Sequence, residues 1–269
     1  MVQWVDSAFG RLRAAIEAAG VWNTSLILAS SDNGGQADLM YGGGSNFPLR
    51  GGKGSDFEGG TRVAAFASGG LIPEARRGAL EYGIVHGADM LATVCGLVGA
   101  GDACREDARA RAAGLPPLDS LDAWPLISGA NLTSPRTEVP VSASTLISGR
   151  WKLMLGRHAS SGYDGPLFPN ASSPANNPHG EALVCAPACL FDVVADAGEH
   201  DDVAAQNPGV VAALTARLDE LKAGFFSNSD GDRFVCAHNA SLSVNGACAC
   251  DRAERVCGGY FCGAWADAK

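Results

Sequence analysis

The sequence predicts an α/β fold whose later part turns to antiparallel sheet. Three observations carry that reading: helical periodicity at residues 5–20, a short apolar run at 25–30 that breaks into Asp-Asn-Gly-Gly, and short extended pieces after Asn131 followed by a helix at 208–225. The 269 residues are 46% hydrophobic and 18% charged, which suffices for a buried core and excludes a disordered tail. Twenty Lys+Arg against 29 Asp+Glu give a net charge of -9, with no basic stripe, so nucleic acid is not an expected partner. The longest apolar run, 90–100, contains Thr93 and two glycines and is too short to cross a bilayer, so no transmembrane segment is expected. Thirty-five glycines and 13 prolines, spread without a repeat, indicate many turns between short elements.

In the first helix Val5, Ala8, Phe9, Leu12, Ile16 and Ala19 share a stripe, and Gly20 stands where a helix-ending glycine belongs. Ser25 to Ser30 has the pattern of a buried parallel strand whose carboxyl end opens into a loop, the usual place for ligands in open α/β sheets. Gln36 to Gly60 shows no periodicity, and a loop of that length is usually functional. Thr61 to Ala67 reads as a second strand, Asp89 to Val98 as a helix, and Leu118 to Ile127 as turn-like and apolar. Glu138–Ser144 and Arg150–Leu155 read as strands joined through Ser148-Gly149, and Cys189–Val193 as another. The helix at 208–225 begins with Asn207 as N-cap and Pro208 at its first position, with Val211, Leu214, Leu218 and Leu221 on one face. The expected division is 1–135 for the α/β part, 136–226 for an antiparallel sheet with one helix, and 227–269 for a Cys-rich tail.

Nine cysteines, five of them between 236 and 262, lack the paired spacing of a zinc site and favour disulfides. Four Asn-x-Ser/Thr triplets, at Asn23, Asn131, Asn170 and Asn239, point the same way, toward a glycoprotein of the secretory route. The opening Met-Val-Gln-Trp-Val-Asp has neither a basic nor an apolar leader region. A signal peptide is therefore not read in this chain: either the protein is cytosolic or its beginning lies upstream, and the odd number of cysteines favours the second.

Asp32 and Asn33 place a carboxylate beside an amide oxygen at a strand's end, a pair suited to a hard divalent cation such as Ca²⁺ or Mg²⁺ and equally able to form an Asx-turn. The passage Asn46-Phe-Pro-Leu-Arg50-Gly-Gly-Lys53-Gly-Ser-Asp-Phe-Glu58-Gly-Gly-Thr-Arg62 sets charges among glycines that permit close backbone approach, with a Lys point charge suited to an oxyanion.

Taken in order, Ser-Asp-Asn-Gly-Gly-Gln, Asn-x-Pro-Leu-Arg-Gly-x-Lys and Glu-Gly-Gly-x-Arg resemble the sulfatase family, most closely its arylsulfatase B type. The resemblance continues through His86-Gly-Ala-Asp89, Leu121-Asp-Ala-Trp-Pro-Leu-Ile127, Gly149-Arg-Trp-Lys-Leu153 and Cys189-Leu-Phe-Asp192, covering about residues 1–226. It implies part of an alkaline-phosphatase-like mixed sheet flanked by helices, followed by a small antiparallel-sheet-plus-helix subdomain. It also implies that Asp32 and Asn33 are two ligands of a Ca²⁺-type (or Mg²⁺) cation and that Lys53 contacts the sulfate. Arg50, Glu58 and Arg62 are expected to shape the loop through ion pairs, and His86 and His200 to be structural.

The family's nucleophile is a formylglycine made within Cys-x-Pro-Ser-Arg, and that motif is absent here: neither Cys104 nor Cys185 has an arginine four residues on. No nucleophile is therefore expected in this chain, and an N-terminal half is expected to supply it. Alone, the chain should expose an unpaired sheet edge and apolar surface, and should be inactive. The leading expectation is a sulfuric ester hydrolase acting on carbohydrate or aryl sulfates. The alternatives are a non-catalytic sulfated-glycan-binding pseudoenzyme and a phosphoric or phosphonate ester hydrolase of the same superfamily.

Overall fold

A computed structural model describes residues 2–36, 44–101, 107–114, 117–163 and 181–225. Asn170, Asn239 and the tail cysteines fall outside these residues, as does the span 227–269. Met1–Ala223 forms one compact unit, to which all the helices and strands below belong.

Helix α1 spans Val2–Ala18 and ends as the sequence predicts, with Gly20 in the left-handed region (φ +72°) and its N–H donated to the Glu17 carbonyl. Strand β1, Ile27–Ser30, pairs with β2, Ala65–Ser68, and the pairing is antiparallel, from Ile27 opposite Ser68 to Ser30 opposite Ala65. The expected buried parallel strand is thus corrected on both counts: Ile27, Leu28 and Ala29 are only half-buried. A four-residue apolar run carries no information about its partner's direction, and here the partner is the next strand along the chain, which can return antiparallel. Phe9 of α1 meets Phe66 of β2 edge to face at 5.0 Å.

Between the strands lies a short helix α2, Glu58–Thr61, where Thr61 had been expected to open a strand. Helix α3, Asp89–Leu97, is followed by α4, Ala108–Ala112, and α5, Trp124–Ser128. The fully buried Asp89 carboxylate joins this region: it accepts from the Arg136 guanidinium at 2.8 and 2.5 Å and from the backbone N–H groups of His86 and Leu121. Those bonds outweigh burial, which alone would raise its pKa, and hold the carboxyl below the ordinary range.

The second sheet is a meander of four antiparallel strands: β3 Glu138–Ser142, β4 Thr145–Ser148, β5 Trp151–His158 and β6 Leu183–Asp192. One more strand is present than the sequence resolves, because the chain turns at 143–144 and again at 149–150. Leu146, Leu153 and Leu190 lie side by side across three strands and are fully buried. Helix α6, Pro208–Lys222, packs on β4 and β5 with Leu218 fully buried. Asn207 occupies the N-cap position, but its side-chain amide donates to the Val203 carbonyl instead of capping.

The opposite sheet face, where Met154, Cys189 and Phe191 gather around Phe57, is turned toward the loop that precedes α2. The Cys185–Cys189 disulfide lies in this cluster, and Cys95 is also disulfide-bonded. The four-stranded sheet is therefore a wall with a helix on one side and the glycine-rich loop on the other.

Candidate functional site

Three glycine-containing segments meet at the carboxyl end of β1. Ser31 continues the ladder by donating its N–H to Ala64, and its hydroxyl donates to the Asn33 carbonyl at 2.8 Å. Asp32 Oδ1 accepts the Asn33 N–H at 3.0 Å, while Asn33 Nδ2 donates to the Gly34 carbonyl at 2.8 Å. The Asx-turn weighed from the sequence is not formed, because the Gly34 N–H goes to Gly60 instead; the contact to the neighbouring N–H uses only one carboxylate oxygen of Asp32. Asp32 is exposed and Asn33 half-buried.

Gly34 is fixed by close approach: a Cβ there would lie 1.6 Å from the Gly59 carbonyl oxygen, and its N–H already donates to Gly60 at 2.9 Å. Gly59 repeats the argument one layer on, since a Cβ would lie 2.4 Å from the carbonyl oxygens of both Arg50 and Gly51. Asn46 is the staple between the segments. Its Oδ1 accepts the Gly35 N–H at 2.7 Å, and its Nδ2 donates to the carbonyls of Gly35 and Gly51 at 2.9 and 3.0 Å. The Gly35 carbonyl also accepts the Lys53 N–H at 3.0 Å, which holds the lysine's backbone against the exit of the strand that carries Asp32 and Asn33. Lys53 is exposed, and among the described residues its ammonium makes no ion pair.

The loop is anchored to the second sheet from below. Lys152 is fully buried, its Nζ 2.8 Å from Glu199 Oε1 and 3.1 Å from Glu58 Oε1. Glu199 Oε2 accepts the Glu58 N–H at 2.7 Å, and the Glu199 carbonyl accepts from Arg50 Nη1 at 2.9 Å and the Tyr163 hydroxyl at 3.0 Å. Two carboxylates thus share one ammonium in a buried site, and burial pushes the Glu199 carboxyl up against the opposing pull of Lys152.

Arg50 also donates Nε to the Ser161 carbonyl at 2.8 Å, with its guanidinium over the rings of Phe57 and Tyr163. Tyr163 in turn stacks on His200 at 4.5 Å, and its own burial pushes its hydroxyl up to about 12. Asp56 Oδ2 accepts from the hydroxyls of Ser142 and Thr145, each at 2.6 Å, and lies 3.6 Å from His158 Nδ1.

Glu58 therefore shapes the loop through an ion pair as expected, whereas Arg50 does so through the Ser161 and Glu199 carbonyls and makes no ion pair among the described residues. Arg62 reaches Glu58 only at 3.9 Å, from a half-exposed position. His86 supports its own turn, where Nδ1 accepts the Ala88 N–H at 3.2 Å. The sequence alone assigns no role to Lys152, Glu199 or Asn46. A lone lysine in the apolar run Trp-Lys-Leu-Met-Leu signals a buried acid, but the two acids it meets lie 94 and 47 positions away.

Asp32 Oδ2 and Asn33 Oδ1 are hard oxygen donors without a partner among the described residues. Ca²⁺ takes about 6–8 oxygens, so this pair fits part of a coordination shell. Among the described residues no group of three or more His, Cys, Asp or Glu side chains could hold a metal ion.

No family model matches the chain. It is 30% identical over 250 residues to arylsulfatase J of Mus musculus, a match covering 82% of the chain and 39% of that protein. It is 28% identical over 236 residues to human (Homo sapiens) arylsulfatase A, covering 81% of the chain and 42% of that protein. The chain thus spans about two-fifths of the length of these curated relatives. Among solved structures it superposes on the PsFucS1 sulfatase from Pseudoalteromonas sp. with a TM-score of 0.59 at 23% identity, covering 82% of the chain and 41% of that structure. It superposes on Ps i-CgsB, solved in complex with k-i-k-neocarrahexaose, with a TM-score of 0.59 at 21% identity, covering 92% of the chain and 47% of that structure. Over most of its length, then, the chain is related to the sulfatase family, on the alkaline-phosphatase-like α/β plan of its structural neighbours.

Proposed function

We propose that this chain is the C-terminal part of an arylsulfatase-type sulfuric ester hydrolase, acting on carbohydrate or aryl sulfates, and that an N-terminal half supplies the nucleophile. The observation that carries the reading is the bond from the Lys53 N–H to the Gly35 carbonyl: it joins a cation-bearing loop to the strand exit that carries two unspent oxygen donors. A sulfate ester is an anion that gains charge on its leaving oxygen as the S–O bond breaks. An ammonium held at that position favours the transition state over the ground state.

In this reading Lys53 binds the sulfuryl group and stabilises the departing oxygen. Asp32 and Asn33 contribute two ligands to a Ca²⁺ or Mg²⁺ ion, which would supply further positive charge at the sulfuryl oxygens. A formylglycine in the N-terminal half would supply the attacking oxygen. The Lys152–Glu58–Glu199 cluster and Asn46 hold the loop so that the Lys53 backbone does not move as charge develops. The same reading places the protein on the secretory route as a glycoprotein, extracellular or lysosome-like.

The test is the coding sequence upstream of Met1, followed by expression of the contiguous open reading frame. Cys-x-Pro-Ser-Arg in frame, and cation-dependent hydrolysis of a chromogenic aryl sulfate, are expected. An open reading frame that begins at Met1, with no hydrolysis by its product, would contradict the enzyme and leave a non-catalytic sulfated-glycan binder as the account of Lys53 and Asp32.

A further inference from the structure

The two Asn-x-Ser/Thr triplets within the described residues differ in how the fold treats them, and the difference selects one as a modification site. At Asn23-Thr24-Ser25 the acceptor sits in a short 3-10 helix, Trp22–Thr24. The Ser25 hydroxyl is spent on the Val21 carbonyl at 2.8 Å, and Thr24 donates to the same oxygen at 3.1 Å. The backbone of Asn23, though not its exposed side chain, is packed on the other side: a Cβ on Gly70 would lie 2.4 Å from the Asn23 Cα, and Gly70 donates its N–H to the Trp22 carbonyl at 3.0 Å.

Asn131-Leu132-Thr133 lies just past α5, beyond Gly129, whose φ of +79° ends that helix. All three residues are exposed, Leu132 by 68%. The Asn131 N–H is tied back to the Pro125 carbonyl at 3.0 Å, and its Oδ1 accepts the Thr133 N–H at 2.9 Å. The carboxamide oxygen is therefore held within its own turn. The amide nitrogen Nδ2 and the Thr133 hydroxyl are both left without a hydrogen bond among the described residues. Neither position 132 nor position 134 is proline. An oligosaccharide on Nδ2 here extends into water, displaces no packed side chain and breaks no hydrogen bond.

We infer that Asn131 is an N-glycan acceptor of this chain, and that Asn23 is not. The inference rests on the secretory reading given above, because the co-reactant, an oligosaccharyl pyrophosphoryl lipid, is a membrane-bound donor of that route. In the transfer, Asn131 Nδ2 forms a bond to the anomeric carbon of the sugar as the bond from that carbon to the pyrophosphate oxygen breaks. The lipid pyrophosphate leaves with the electron pair, and the amide nitrogen gives one proton to a base of the transferase.

The acceptor is tested on the full chain, secreted from a eukaryotic host behind a cleavable leader and treated with peptide N-glycosidase in heavy-oxygen water. Deamidation with heavy-oxygen incorporation at Asn131 and none at Asn23 is expected, with loss of the Asn131 label in Thr133→Ala. A second variant, Thr133→Ser, keeps the hydroxyl and should retain the label, which separates loss of the acceptor motif from loss of folding. Secreted protein that carries a label at Asn23, or none at Asn131, overturns the inference. Fractionation of the natural host cells tests the compartment separately: protein found only in the cytosol would end the secretory reading, whatever the leader-driven experiment shows.

Discussion

The two sheets of this protein have opposite relations to solvent. The β3–β6 wall is covered on both faces: Leu146, Leu153 and Leu190 are fully buried where α6 packs, and Met154 and Phe191 meet Phe57 on the other side. In the β1–β2 pair each strand has a partner on one edge only among the described residues, and Phe66 is 47% exposed. Helix α1 buries no residue, and the Val5 and Leu12 side chains that its periodicity aims at a core stay 47% and 45% exposed. The lesson concerns where a site can be built. The candidate site lies at the seam: Asp32 and Asn33 come from the open pair, and Lys53 comes from a loop bolted to the closed wall. That loop is positioned by contacts within the described residues, whereas the open pair presents unpaired edges and apolar surface among them.

The largest effect is expected where the loop is bolted down. Lys152→Met removes the only ammonium between Glu58 and Glu199 among the described residues and leaves two buried carboxylates. It should cost about 3–5 kcal/mol, read as a shifted denaturant midpoint. A cost under about 1 kcal/mol would mean that the cluster reorganises freely and does not anchor the loop. Next comes a matched pair of leucines. Leu153→Ala, from the closed wall, should cost about 2–5 kcal/mol, while Leu12→Ser on α1 should change stability by no more than about 0.5 kcal/mol and reduce self-association in light scattering. Equal costs at the two positions would erase the contrast between the sheets.

A smaller effect is the pH dependence of the Asp89–Arg136 pair. The folded pKa of Asp89 lies below its unfolded value of about 3.9, so its contribution is complete above that pH and is lost as pH falls through the lower folded value. Asp89→Asn should be less stable at neutral pH and lose less of its stability on acidification than the parent. Identical acid limbs would show that the pair is not linked to folding. Glu199 runs the other way: with its pKa raised in the folded state, its contribution is complete below its unfolded value of about 4.3 and is lost as pH rises from there through the higher folded value.

How much of this was legible in the sequence follows from how local the signals are. Helices α1, α3 and α6 are written in spacings of three and four residues, and Gly20 and Pro208 mark ends that the structure reproduces within a few positions. The direction of β1 was not legible, because Leu-Ile-Leu-Ala reads the same beside either kind of partner. Strand β4 was not legible and fell in the connection between the two expected pieces, since Ser142-Ala-Ser144 carries none of the glycine, proline or Asn-Gly signals of a tight turn. The glycine-rich passage pointed to the site through its composition, and Gly34 and Gly59 show why: each is a place where backbone touches backbone. The Lys152–Glu58–Glu199 cluster was hidden because its three members come from distant parts of the chain, and only tertiary structure brings them together.

The central claim is that Lys53 is the sulfate-contacting cation of a site that further chain completes. The most direct measurement is steady-state hydrolysis of an aryl sulfate by the contiguous protein and by its Lys53→Ala variant, with thermal unfolding of both. The account predicts that kcat falls by about two to three powers of ten while the unfolding midpoint, set by the closed wall and the buried Lys152, stays where it was. An unchanged kcat in a folded Lys53→Ala variant would contradict it.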